Sequence, residues 1–150
     1  MTSDDADRVW MVRSAAIENI SQSFYSEDEI NTWLFAEKPN EFEKVITSLE
    51  WYVAEIDSVI VGTGFVDIDT KEVGAIFVHP DYQRKGIGLA ILKKLEEVAR
   101  SNSLDELHIE STLNAEQFYR TVGFESEGRQ QYNHVSGLKL ACIKMTKRIS

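Results

Sequence analysis

Residues 83–89 read Gln-Arg-Lys-Gly-Ile-Gly-Leu and follow an apolar run that stops at His79 and Pro80. Proline gives no amide to a strand ladder, so a strand should end there and a helix begin at the glycines. The first turn of a helix points several unpaired N–H groups outward and carries about half a positive charge. Gly86 and Gly88 remove side chains that would keep a ligand off those amides, and Arg84 and Lys85 add formal charge at the same place. The sum is a cradle for a phosphate or diphosphate. Two familiar cradles are excluded: no Gly-Lys-Ser/Thr is present, and position 91 is Ile where a dinucleotide fingerprint has its third glycine. A bare Gly-x-Gly also serves helix–sheet packing, so the glycine spacing alone leaves both readings open.

The elements around this segment follow from hydrophobic periodicity. Val9, Val12, Ala16, Ile17 and Ile20 recur at helical spacing. Ser26 followed by Glu27, Asp28 and Glu29 is an N-cap with an acidic first turn, leading to Ile30, Trp33 and Leu34. A third short helix is expected over residues 41–49. Strands follow at 51–56 and 59–68, with Asp57 and Ser58 as a hairpin turn, and at 73–78. Residues 86–101 form the clearest helix, with Ile87, Ile91, Leu95 and Val98 on one face. A strand over 104–110, a short helix over 115–122 stopped by Gly123, and strands over 124–132 and 138–147 complete a mixed α/β layer.

Composition bounds the function. One domain is the economical reading of 150 residues without repeats or linkers, with a helical region over 1–50 and the strand-rich remainder over 51–147. The single cysteine, Cys142, leaves no internal disulfide framework and no multi-cysteine metal site. It sits in an apolar strand and reads as a buried thiol; His134 reads as structural. No apolar run reaches membrane-spanning length and the acidic N-terminus is no secretory signal, so a cytoplasmic protein is expected. The formal charge of −9, from 16 basic and 25 acidic residues, opposes nucleic acid as a partner. Residues 1–50 carry 11 acids against 4 bases, whereas residues 83–94 hold four bases and no acid. A local positive spot on an acidic chain suits a small anion.

Gln83-Arg84-Lys85-Gly86-Ile87-Gly88 resembles the acetyl-CoA signature of the GCN5-related N-acetyltransferase (GNAT) superfamily. A second match, over residues 115–124, resembles that family's Ala-x-x-aromatic-Tyr-x-x-x-Gly-Phe element. Phe24-Tyr25-Ser26 and Ile30-x-x-Trp33 resemble a subgroup of small bacterial acetyltransferases. The resemblance implies a mixed, mostly antiparallel sheet flanked by helices, with a central parallel strand pair that splays apart. The family's first strand has no counterpart over residues 1–7, which leaves a sheet edge that a second copy of the chain could cover. The resemblance also implies an acetyl-CoA co-substrate, no metal, and a small-molecule or peptide amine as acceptor. Phe77 and Val78 would contact the pantetheine arm through their main chain. The amides of Arg84, Lys85, Gly86, Ile87, Gly88 and Leu89 would hold the diphosphate behind Gln83. Asn114 or Thr112 would contact the cofactor, with Phe118 packed beside it.

Acetyl transfer to an amine makes three demands. An alkylammonium of pKa about 10.4 must lose a proton, at about 4–5 kcal/mol near pH 7. The oxyanion needs a preorganised donor; by the resemblance this is an N–H near Val78. The departing thiolate gains from a proton, and Tyr119 matches the family's general acid. Glu110 is the leading candidate base, acting through water, with His108, Glu72 and His79 as lesser ones. Acids such as Glu27, Asp28, Glu29 and Glu37 could draw in a cationic acceptor. A non-catalytic acetyl-CoA sensor is the competing reading, and it has no use for a placed acid such as Tyr119.

Overall fold

The computed structural model of the chain describes residues 5–35, 42–133 and 139–149. Its elements are α1 (Ala6–Glu18), α2 (Glu27–Leu34), α3 (Phe42–Ser48), β1 (Glu50–Ile56), β2 (Val59–Asp67), β3 (Glu72–Val78), α4 (Ile87–Ser101), β4 (Glu106–Thr112), α5 (Glu116–Thr121), β5 (Glu125–Asn133) and β6 (Lys139–Arg148). Among the described residues the chain enters α1 without a preceding strand; residues 1–4, like Glu37, Pro39 and His134, lie outside them.

The six strands form one sheet in the order β1-β2-β3-β4-β6-β5. Every neighbouring pair is antiparallel except β3 and β4, so the mixed sheet with one central parallel pair is present as expected. Strand alternation divides its residues between two layers. Val66, Val73, Leu107, Ile109 and Met145 meet Ile91, Leu92 and Leu95 of α4 in the main core. Trp51 and Phe65 face the opposite side, where they pack with Val9 of α1 and with Phe42 and Ile46 of α3. A third cluster gathers Ile17, Tyr25, Ile30, Trp33 and Leu140.

Local chemistry explains most element ends. Asp57 and Ser58 both take positive φ, 51° and 68°, the backbone that suits a two-residue hairpin. Ser26 caps α2 and Glu29 returns the bond to its amide, closing a capping box. The strand expected at 104–110 begins later. Leu104 instead donates its amide to Ala99 O at 3.0 Å, with Ser103 in the left-handed region, so the α4 terminus takes residues the periodicity assigned to β4. The buried carboxylate of Glu96 on α4 receives Lys147 Nζ from β6 at 2.6 Å and Arg100 at 3.6 Å, pinning the helix across the sheet. No helix among the described residues is long and apolar enough to cross a membrane.

Candidate active site

The turn between β3 and α4 is built from its main chain. Pro80, Asp81 and Tyr82 form one 3-10 turn, held at its start by His79 Nδ1, which accepts the Asp81 amide at 3.1 Å. That bond gives His79 a structural task. Arg84 and Gly86 both adopt left-handed backbone, with φ of 63° and 77°. Gly86 then becomes the N-cap of α4, where no side chain caps the helix and no acidic residue stands in the first turn. Ala90 donates to Gly86 O at 3.0 Å as the first helical bond. The amides of Gly86, Ile87, Gly88 and Leu89 thus have no intrahelical acceptor. Lys85 lies over the Tyr82 ring, 5.4 Å from its centre, and Gln83 donates to Val78 O at 3.4 Å.

Beside this turn the sheet opens. The β3–β4 ladder joins only Glu72 to His108 and Val73 to Ile109. From Gly74 onward β3 has no β4 partner, which leaves one backbone edge facing a gap. A cleft of about 140 Å³ occupies the gap, lined by Phe77, Val78, Gln83, Asn114, Tyr119 and others. Thr112 lines it as well. Phe118 packs against the first turn of α4, where a Cβ on Gly88 would lie 3.6 Å from Phe118 Cζ, and does not line this cleft.

Tyr119 is 4% exposed, and its hydroxyl has no hydrogen-bond partner among the described residues. Burial pushes its phenol well above the ordinary value, so it stays protonated across the physiological range. It can donate a hydrogen bond into the cleft, but giving up the proton outright is harder than for a free tyrosine.

A second cavity of about 360 Å³ lies on the α1–α3 side of the sheet. A bulge in β3 shapes it. Thr63 pairs with Phe77 and Phe65 with Gly74, so β3 uses one more residue than β2 over this stretch. Gly74 and Phe77, three apart in sequence, consequently face the same cavity, while Ile76 turns to the α4 core. Gly74 is needed here: a Cβ would sit 2.6 Å from Phe65 Cζ.

Glu72 and Glu110 both line this cavity, and Glu110 reaches the smaller cleft too. Burial, then the charge of Glu110, raises the Glu72 carboxyl above its usual value. Glu110 is exposed and accepts Gln130 Nε2 at 3.3 Å. His108 is turned away from both cavities: Nδ1 meets Thr146 Oγ1 at 3.1 Å and Nε2 lies 3.3 Å from Glu106. Cys142 is buried on the cavity wall, and its thiol is raised chiefly by that burial. Glu27, Asp28 and Glu29 lie instead in the first turn of α2 and line neither cavity.

The aromatic wall, including Trp10, Trp51 and Phe65, is a group that motif reading passes over. Its signal was available: the three tryptophans all lie in the first 51 residues, and strand alternation puts Trp51 and Phe65 on one face. Tyr25 is likewise central. Its hydroxyl donates to Ala141 O at 2.6 Å and accepts the Leu113 amide at 3.0 Å, tying the α1–α2 connection to the loop before α5.

Residues 22–148 match the family model described as acetyltransferase (GNAT) domain. The chain is 28% identical over 116 residues to the uncharacterized N-acetyltransferase YafP of Escherichia coli K12, covering 77% of this chain and 72% of that protein. It superimposes on a GCN5-related N-acetyltransferase from Rhodopseudomonas palustris with a TM-score of 0.89 and 25% identity, covering 97% of this chain and 90% of that one. The PaiA N-acetyltransferase of Thermoplasma acidophilum, solved in complex with coenzyme A, aligns with a TM-score of 0.75 at 19% identity, over 99% of this chain and 95% of its own.

Proposed function

The chain belongs to the GNAT acetyltransferase family, and on that premise we propose that it moves the acetyl group of acetyl-CoA directly to the primary amine of an acceptor held in the larger cavity. One observation carries this reading. The unpaired edge of β3 leads through the 80–82 turn to a helix start whose amides are uncapped, so strand-type contacts and an anion cradle stand on successive stretches of the chain.

The groups present fit acetyl-CoA. The amides of residues 84–89, with Arg84 and Lys85 alongside, take the diphosphate. The main chain of Phe77 and Val78 takes the pantetheine arm, which Asn114 and Phe118 flank, and an N–H near Val78 serves the oxyanion. When bound, the thioester supplies the activated acyl group. Tyr119 donates a hydrogen bond to the departing sulfur.

Glu72 and Glu110 share the proton work at the amine. Glu110 bridges the two cavities, which places it where a water could relay a proton. Burial raises the Glu72 carboxyl above its ordinary value, which suits its carboxylate to accepting a proton.

The test is direct. Purified protein is incubated with acetyl-CoA and a panel of primary amines, with free thiol and acetylated product both followed. Thiol release matched by acetyl-amine supports transfer. Binding of coenzyme A with no acetylated product from any amine favours a sensor.

A further inference from the structure

The larger cavity restricts its occupant in three ways. Its volume of about 360 Å³ is at the low end of the roughly 300–1,000 Å³ range of small-molecule sites. Its walls are aromatic: Trp10, Phe42, Trp51 and Phe65 make a continuous chain of rings, with successive centres 5.5, 5.8 and 4.9 Å apart, while Trp33 and Phe77 pair at 6.5 Å. Its charges are separated by sign. Glu72 and Glu110 stand on β3 and β4 of the sheet, whereas Arg13 enters from α1.

Arg13 is the basic side chain of this lining. It is 7% exposed, it lies 4.2 Å above the Trp10 ring, and its guanidinium donates to Trp33 O at 2.6 Å and Leu34 O at 3.2 Å. Burial lowers its pKa to about 10, which leaves it charged at neutral pH. No carboxylate among the described residues pairs with it; its counter-charge is the C-terminal end of α2. An acceptor ammonium is therefore attracted to the sheet and a second cation is repelled from the helical wall.

We propose that this cavity selects a small monoamine with a flat apolar body, such as an arylalkylamine, and discriminates against diamines, polyamines and aminoglycosides. The proposal rests on the acetyl-transfer reading for its turnover but not for its binding, and the test separates the two.

Initial rates are measured at saturating acetyl-CoA with tryptamine, phenethylamine, cadaverine, spermidine and kanamycin. Binding of each amine to the coenzyme A complex is measured in parallel by calorimetry. Tryptamine or phenethylamine should exceed cadaverine and spermidine at least tenfold in kcat/KM and in affinity. Trp10→Leu should weaken tryptamine binding several-fold while acetyl-CoA affinity holds, and Arg13→Gln should narrow the gap between tryptamine and cadaverine. Tight tryptamine binding without acetylation of any amine upholds the proposal and sinks the transfer reading. Equal or better binding of cadaverine, spermidine or kanamycin, or no binding of either arylalkylamine, overturns the proposal. Should Arg13→Gln fail to fold because it releases α2, the wild-type ranking and Trp10→Leu still decide.

Discussion

Glu72 and Glu110 stand on the two parallel strands close to where those strands part, and burial, then the charge of Glu110, raises the Glu72 carboxyl above its usual value. Two consequences follow with defined signs. If Glu72 receives the amine's proton, the acidic limb of kcat/KM lies above an ordinary carboxylate pKa, and Glu110→Gln moves it to lower pH. For folding, a raised native pKa means that the protein holds this proton more tightly than the unfolded chain does. The resulting stability is present at low pH and is lost as pH rises through the native pKa. Glu72→Gln should therefore be more stable than wild type at neutral pH in chemical denaturation, with the difference shrinking as the pH falls.

Gly74→Ala places a methyl group where the Phe65 ring already lies. Displacing that ring should cost about 1–3 kcal/mol in urea unfolding. In kinetics the acceptor KM should rise more than the Kd for coenzyme A, because Gly74 lines both the larger cavity and the cleft whereas the displaced Phe65 ring lines the larger cavity alone.

Tyr25→Phe removes one hydroxyl that serves two backbone groups, Ala141 O and Leu113 N. Leaving them without partners should lower stability by about 1–3 kcal/mol. Since Leu113 opens the loop that carries Asn114, coenzyme A affinity should fall as well, read by calorimetry on the folded variant.

Tyr119→Phe should behave differently. No described hydrogen bond is lost, so stability should stay within about 0.5 kcal/mol of wild type. If the phenol assists the departing sulfur, kcat should fall on the order of 100-fold with little change in either KM. Unchanged turnover would remove Tyr119 from the chemistry.

The turn and helix start at the head of α4 were legible because they are local. Residues 83–88 encode a turn and a helix start within six positions, and the structure folds them so. The capping box at Ser26 and Glu29 and the hairpin at Asp57 and Ser58 were legible for the same reason. The larger cavity was not, because it draws scattered residues from α1, α2, α3 and five strands, from Val9 to Cys142. The bulge in β3 was hidden too. Strict alternation would put Gly74 and Phe77 on opposite faces, and only pairing with β2 shows the extra residue that unites them. The burial that raises the Glu72 carboxyl has no local signal in the sequence. The acids of α2 are legible as a helix start, and the structure places Glu27, Asp28 and Glu29 in that first turn.

The central claim is that main-chain amides at the start of α4 grip a diphosphate. Calorimetric titration with coenzyme A and with pantetheine, which lacks the diphosphate, tests it most directly. Coenzyme A should bind at least 100-fold more tightly than pantetheine, and Gly88→Asp, which adds a carboxylate to the first turn of α4, should erase that advantage. Equal affinity for the two ligands, or full coenzyme A binding by Gly88→Asp, would contradict the account.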